Sequence, residues 1–248
     1  MPTNTVPGAG NFPFSFSPQN LTEDRRQKTV FDPSLVLRLP SNKGVLMNIT
    51  ILGAGNIGGA VGKKWAAAGH TITFGVRDAN SPKTQAALAS IEAHALPVPE
   101  AIAAGEVILF SIPWSAVPDV ARANAAALDG KILIDATNNF AGPIINNLAA
   151  LQAAAPNAHI FRAFNSLGWE HFDNPMAGDV QTDHFYTGPD GDIRARVEKL
   201  IGEVGLRPIW VGDNDRIQIV DQVGALWVTL AFRQGWGRGV ALKLIEKF

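Results

Sequence analysis

Glycines 53, 55 and 58, in the run Gly53-Ala54-Gly55-Asn56-Ile57-Gly58, satisfy the spacing G-x-G-x-x-G. The first permits a tight turn, the second lets the backbone approach a pyrophosphate, and the third lets a helix pack closely on a strand. Free N–H groups at the start of the following helix would face the anion. The spacing alone is a weak signal, because glycine-rich turns are common. Here it follows the β-branched run Asn48–Leu52 and opens a helical stretch, which is the context that dinucleotide binding requires.

A second position decides which dinucleotide. Domains that bind the unphosphorylated form place an acid after their second strand, to hold the ribose hydroxyls. This chain reads Gly75-Val76-Arg77-Asp78 there. Arg77 can make charge-assisted hydrogen bonds to a ribose 2′-phosphate, with Lys83 as a helper, so NADP is the expected cofactor. The competing reading makes Arg77 an ordinary surface residue and gives the ribose of NAD to Asp78.

Three further stretches end strands on the same side. Ser111-Ile112-Pro113-Trp114 has a stiff proline and an aromatic able to floor a nicotinamide pocket, although core packing accounts for Trp114 equally well. Asn138, in Asp135-Ala136-Thr137-Asn138-Asn139, and Ala163, Asn165, Ser166 and Leu167, in the next such stretch, supply short polar groups. These suit a carboxamide or a flat heterocycle. Asp135 reads equally as a brace for a neighbouring loop.

The missing groups are as informative. The chain has one tyrosine, Tyr186, and no Tyr-x-x-x-Lys pair, and no Lys or His stands out on a helix facing the crevice. We therefore assign no catalytic side chain. Reducing a carbonyl needs a proton donor beside the hydride acceptor. A flavin or deazaflavin ring takes hydride directly, and the protein's task is then to hold two rings face to face. The absence of cysteine excludes disulfides and thiolate chemistry, and the five histidines are scattered, so no metal is expected.

The elements that must position these residues alternate between strand and helix. Strands are expected at Asn48–Leu52, Thr71–Phe74, Glu106–Ile112, Lys131–Ala136 and His159–Phe164. Helices are expected at 56–68, 82–93, 117–128 and 143–155. That rhythm means a Rossmann-type α/β fold, a doubly wound and mainly parallel sheet, over 47–212. Within it, 169–183 reads as loop, 184–187 and 208–211 as strands, and 193–204 as a helix. Residues 213–248 read as a small, mainly helical part that covers the site or pairs with a second subunit, so a homodimer is expected.

Residues 1–46, rich in Pro, Asn, Ser and Thr, read as a disordered extension, with enough apolar side chains at Phe31–Leu39 to dock elsewhere. A natural start at Met47 is an open alternative. A net charge of −1 argues against nucleic-acid or anionic-membrane binding. No apolar run approaches the roughly 20 residues of a membrane span, and a cytoplasmic protein is expected.

Together these motifs resemble the F420-dependent NADP oxidoreductases. The resemblance rests on ILGAGNIGGAVGKKWAAAGHTITFGVR, ILFSIPW, ILIDATN, RAFNSLGW and the terminal IVDQVGALWVTLAFRQGWGRGVALKL. The pattern is also similar to the NADPH:flavin domain of membrane ferrireductases. The family implies hydride exchange between NADPH and the deazaflavin of coenzyme F420, with FMN or FAD as alternative second ligands. It implies Gly53, Gly55, Asn56 and Ile57 around the pyrophosphate, Arg77 on the 2′-phosphate, and Pro113 and Trp114 beside the nicotinamide. It also implies Asn165, Ser166 and Leu167 near the deazaflavin. Two positions depart from the family. Val76 stands where a small hydroxyl residue is common, and Asn165-Ser166 replaces a His-Thr pair of archaeal members. A reductase of a small imine or carbonyl, and an NADP(H) sensor without turnover, remain the alternatives.

Overall fold

The computed structural model describes residues 45–246. The expected extension and the Phe31–Leu39 docking segment lie, up to residue 44, outside the described residues. Strand β1 (Asn48–Leu52) is buried at every position but its first, and it leads through the glycine turn into helix α1 (Asn56–Ala67). The chain continues as β2 (Thr71–Gly75), α2 (Pro82–Ala89), β3 (Ala93–Leu96), α3 (Val98–Ala104) and β4 (Val107–Phe110). It then forms α4 (Val117–Ala123), α5 (Ala125–Leu128), β5 (Ile132–Asp135), α6 (Leu148–Ala154) and β6 (His159–Arg162).

These six strands form one parallel sheet in the order β3-β2-β1-β4-β5-β6. Chain direction across the sheet reverses between β1 and β4, and ligands of open α/β sheets bind outside the carboxyl ends of the strands at such a point. Crossover helices cover both faces, so β4 and β5 are buried at every position and read as continuous apolar runs. On one face Ile49, Ile51, Val107, Leu109, Ile134 and Phe161 pack in a core with Trp65 of α1. On the other, Leu52, Ile108, Phe110 and Leu133 pack with Ile102 and Leu151.

After β6 come a short helix α7 (Glu170–Asp173) and a small antiparallel pair, β7 (Met176–Ala177) and β8 (Val180–Gln181). A separate parallel pair, β9 (Asp183–Tyr186) and β10 (Arg207–Trp210), is joined by α8 (Asp192–Glu203). An antiparallel bridge between Arg162 and Thr187 ties this pair to the edge of the main sheet. The last helix, α9 (Ile217–Val228), runs into a π-helical turn at Thr229–Arg233. Among the described residues, no helix is long and apolar enough to cross a membrane.

Several elements differ from the expected ones, each for a local reason. The helix expected over 82–93 stops at Ala89, and the alanine-rich run beyond it makes the edge strand β3 and then α3, with prolines at its start. The helix over 117–128 is interrupted at Asn124, whose side-chain amide donates to the Val120 carbonyl. The helix over 143–155 begins only at Leu148, because Asp135 takes the Asn147 N–H (2.8 Å) and Asn146 caps Leu148 (2.9 Å). The 169–183 loop contains α7 and the β7–β8 pair.

The terminal part is helical as far as Arg233 and carries no helix from there to residue 246. Gly235 and Gly237, with φ of 72° and 80°, turn the chain out of the helix. Beyond them the chain is held by side chains. Arg238 pairs with Glu170 (2.5 Å), and the Leu244 N–H and Lys243 ammonium both reach Asp183.

Candidate functional site

The turn after β1 has the geometry its glycines call for. Gly53 has φ of 95°, in the left-handed region that favours glycine, and its N–H donates to the Gly75 carbonyl at 3.0 Å. A Cβ on Gly58 would stand 2.2 Å from the Gly53 carbonyl oxygen, so helix and turn are in contact there. A Cβ on Gly55 would meet nothing within 4 Å. The second glycine therefore faces open space, as room for a pyrophosphate requires. Asn56, exposed, starts α1, while Ala54 and Ile57 pack partly against the core. The α1 N-terminus has no side-chain cap, which leaves its N–H groups free for an anion.

A cleft of about 440 Å³ opens beside this turn. Gly53, Ala54 and Gly55 line it together with the adjoining Ser111, Ile112 and Pro113, and Arg77, Asp78 and Lys83 line one end. Arg77 and Lys83 are exposed, and neither has an ion-pair partner among the described residues. Asp78 is partly engaged, because one carboxylate oxygen accepts the Asn80 N–H at 2.8 Å. The local fold fixes the Arg77 segment: Ser81 caps α2, and Thr84 donates its hydroxyl to the Asp78 carbonyl (3.1 Å).

Some residues assigned from the sequence have other duties. Ser111 borders the cleft, yet its hydroxyl is within hydrogen-bond distance of the Leu52 (2.8 Å) and Gly53 (3.1 Å) carbonyls, pinning the turn. Trp114 is not among the residues that line this cleft, and its indole N–H donates to the Asn146 carbonyl at 3.0 Å. Asn138 is committed on both sides, accepting from Arg162 (2.7 Å) and donating to the Asn165 carbonyl (3.1 Å). Ala163 and Leu167 are core residues.

Asn165 and Ser166 behave differently. Both are buried, at 3% and 2% exposure, and neither amide atom of Asn165 nor the Ser166 hydroxyl has a protein partner. Buried polar groups are nearly always paired, so three orphaned atoms in adjacent residues are unusual, and neither residue is among those that line the cleft. Phe164, just before them, has φ of 61°. A bulky residue in that region stores about 1–3 kcal/mol of strain, which the surroundings must hold. Its ring packs edge-on against Trp65 and Phe172, at 5.6 and 5.7 Å, and is stacked on His184 at 5.1 Å.

The residue that organises this edge was missed in the sequence. Arg162 is fully buried at the end of β6. Its guanidinium donates to Asp221 of α9 (2.9 Å), to the carbonyls of Asp135 (3.0 Å) and Thr137 (2.5 Å), and to the Asn138 side chain. Asp135 also accepts from the Thr137 hydroxyl and N–H, so its role is to brace the loop after β5. The available signal was an arginine inside the apolar strand HIFRAF and an aspartate inside the apolar helix IVDQVGALWV. Buried charges come paired.

The comparisons with known proteins agree with this architecture. Residues 48–139 match the family described as NADP oxidoreductase, coenzyme F420-dependent. The matched segment ends before the turn that holds Asn165. No curated protein matches the chain. A candidate F420-dependent NADP-reductase from Arthrobacter sp. FB24 superposes with a TM-score of 0.70 at 22% identity, covering 81% of this chain and 100% of that one. A reductive aminase from Aspergillus terreus, solved with NADPH4, cyclohexanone and allyl amine, superposes at 0.55 with 21% identity, covering 76% of this chain and 61% of that one. An imine reductase from Streptomyces aurantiacus superposes at 0.58 with 18% identity, covering 76% and 64%. At these identities the likeness is one of fold.

Among the described residues, the titratable side chains that line the cleft are Arg77, Asp78 and Lys83. The Tyr186 hydroxyl is bonded to Glu198 (2.5 Å), and burial with that carboxylate raises its pKa. Burial pushes the His184 imidazole down from 6.5 to about 3. The unfolded chain therefore takes up a proton below the ordinary histidine value that the folded chain refuses until about pH 3. The unfolded state binds more protons in that window, so stability is full above it and falls as pH falls through it. Wild type should lose about 2 kcal/mol more than His184→Gln between pH 7 and pH 5. Urea denaturation of both proteins checks this, and equal losses would contradict it.

Proposed function

We propose that this protein is an NADP-dependent oxidoreductase that passes hydride between NADPH and a ring of the deazaflavin or flavin class, coenzyme F420 or FMN/FAD. The observation that carries the cofactor half is the unpaired Arg77–Lys83 end of the cleft, beside a glycine turn that leaves open space at Gly55. Two cations without protein partners suit a 2′-phosphate better than a ribose diol. The α1 N-terminus and the turn backbone would hold the pyrophosphate.

Bound NADPH supplies the hydride from its nicotinamide ring. The chain's part is to bind, orient and exclude water. Ile112 and Pro113 border the cleft at the switch point, and outside that lining the buried Asn165 amide and Ser166 hydroxyl, unpaired in the protein, would fix the second ring. Asn165 offers a donor and an acceptor together, which complements an imide or carboxamide edge. The titratable groups in the cleft are those at its phosphate end, which supports an acceptor that needs no protein proton. The fold likeness to imine reductases keeps a small imine or carbonyl substrate as the second reading, and that chemistry needs a proton donor.

The direct test is NADPH oxidation on separate addition of coenzyme F420, FMN and FAD. At least one should be reduced. Silence with all three would replace this reading with that of an NADP(H) sensor. In the same assay Arg77→Asp should weaken NADPH by about ten- to a hundredfold while barely affecting NADH. Equal losses for both would remove Arg77 from the phosphate site.

The assembly we propose is a homodimer. Ile219 and Leu226 lie seven residues apart on α9, hence on one face, and are about half exposed, which is an apolar pair suited to a partner helix. Light scattering should give twice the chain mass. A strict monomer at micromolar concentration would rule it out.

A further inference from the structure

The turn that presents Asn165 and Ser166 is held by a residue of another sheet. Beyond the last ladder bond of β6, from the Ala163 N–H to the Asp135 carbonyl (3.4 Å), Phe164 swings into a positive φ and its N–H leaves the sheet. A buried N–H without a partner is rare and costly. Here it donates to Nε2 of His184, at 2.6 Å, and the two rings lie stacked with an interplanar angle of 21°. His184 is fully buried. Because Nε2 accepts, the neutral imidazole must carry its proton on Nδ1, and Nδ1 has no partner.

That unpaired Nδ1 makes the bond informative. A leucine or phenylalanine would fill the same space with no orphaned atom, but would leave the Phe164 N–H unsatisfied. The chain accepts one buried polar atom in β9 so as to hold another in a strained turn. The placement of His184 is itself rigid. Its neighbour Asp183 is bound by Arg207 (2.7 Å), Lys243 (2.7 Å) and the Leu244 N–H (2.6 Å). Three residues further on, Thr187 exchanges two backbone hydrogen bonds with Arg162.

We infer that His184 is a positioning residue, which acts through the Phe164 N–H to hold the Asn165 amide and Ser166 hydroxyl at the angle that receives the second ring. This rests on the reading that Asn165 and Ser166 bind that ring, and it adds a group on β9 that touches neither ligand. Its removal should affect the acceptor and spare the cofactor, because the phosphate turn and Arg77 belong to β1 and β2.

The test uses the full chain as wild type, His184→Phe and His184→Gln, with whichever of coenzyme F420, FMN or FAD the wild type reduces. His184→Phe keeps an apolar ring and removes the acceptor, whereas His184→Gln retains an oxygen that can accept the N–H. The expected result is a tenfold or greater fall in kcat/KM for the acceptor in His184→Phe, carried mainly by KM. NADPH Kd should stay within about twofold, and His184→Gln should recover most of the loss. Unchanged kcat/KM in His184→Phe, or a parallel loss of NADPH binding, would overturn the inference. Nitrogen-15 histidine spectra of the wild type judge it independently of activity and of the folding of any variant. They should show the Nδ1-protonated tautomer, and an Nε2-protonated ring would overturn the inference. A wild type that reduces none of the three acceptors fails the functional reading instead, and the spectra still decide the His184–Phe164 bond.

Discussion

A guanidinium sealed inside the protein dictates the carboxyl edge of the sheet. Arg162 has no exposed surface, and an uncompensated charge there would cost several kcal/mol. Its compensation comes from the Asp221 carboxylate on α9, the Asp135 carboxylate at 3.4 Å, the Asp135 and Thr137 carbonyls and the Asn138 side chain. The partners come from two pieces of the molecule, α9 and the stretch that ends β5 and turns away from it. Satisfying one arginine therefore docks the last helix, shapes the loop after β5 and fixes the end of β6. The bridge to Thr187 extends the same constraint to the second, smaller sheet.

That constraint divides the candidate site into two halves of different origin. The half proposed for the phosphates is local: glycines, a helix start and two cations, Arg77 and Lys83, within 31 residues of chain, Gly53 to Lys83. The other half is tertiary. Asn165 and Ser166 stand unpaired because Arg162 anchors the strand before them, Asn138 holds the Asn165 carbonyl, and Phe164 is locked between Trp65, Phe172 and His184. Gly224 of α9 lets the helix approach the Asn165 carbonyl, since a Cβ there would stand 3.1 Å from it. Hydride transfer between two rings requires only such fixed placement, and the strain at Phe164 is consistent with a turn shaped for a ligand rather than for stability.

The same division explains what could be read in the sequence. The glycine turn and the place of Arg77 beside it were legible because each depends on residues close in the chain, and the parallel sheet was legible from the strand–helix alternation. Strand β3 was not, since AHAL is alanine-rich and lies at a half-exposed edge where neither alternation nor β-branching marks it. The delayed start of α6 was hidden for another reason: Asp135, twelve residues away, takes the Asn147 N–H. Asn138 and Ser111 have the types of ligand residues, and only the fold shows their hydrogen bonds spent inside the protein. His184 carried no signal at all. Its meaning depends on the φ of Phe164, twenty residues earlier.

The central claim, a direct passage of hydride between two rings held by this chain, is tested most directly by a single turnover with NADPH deuterated at nicotinamide C4. Excess enzyme is mixed with the acceptor and the reduction followed by absorbance, so that product release plays no part. The account predicts acceptor reduction that slows by a primary isotope effect for one of the two C4-labelled stereoisomers. No reduction, or a rate indifferent to deuterium at both positions, would contradict it.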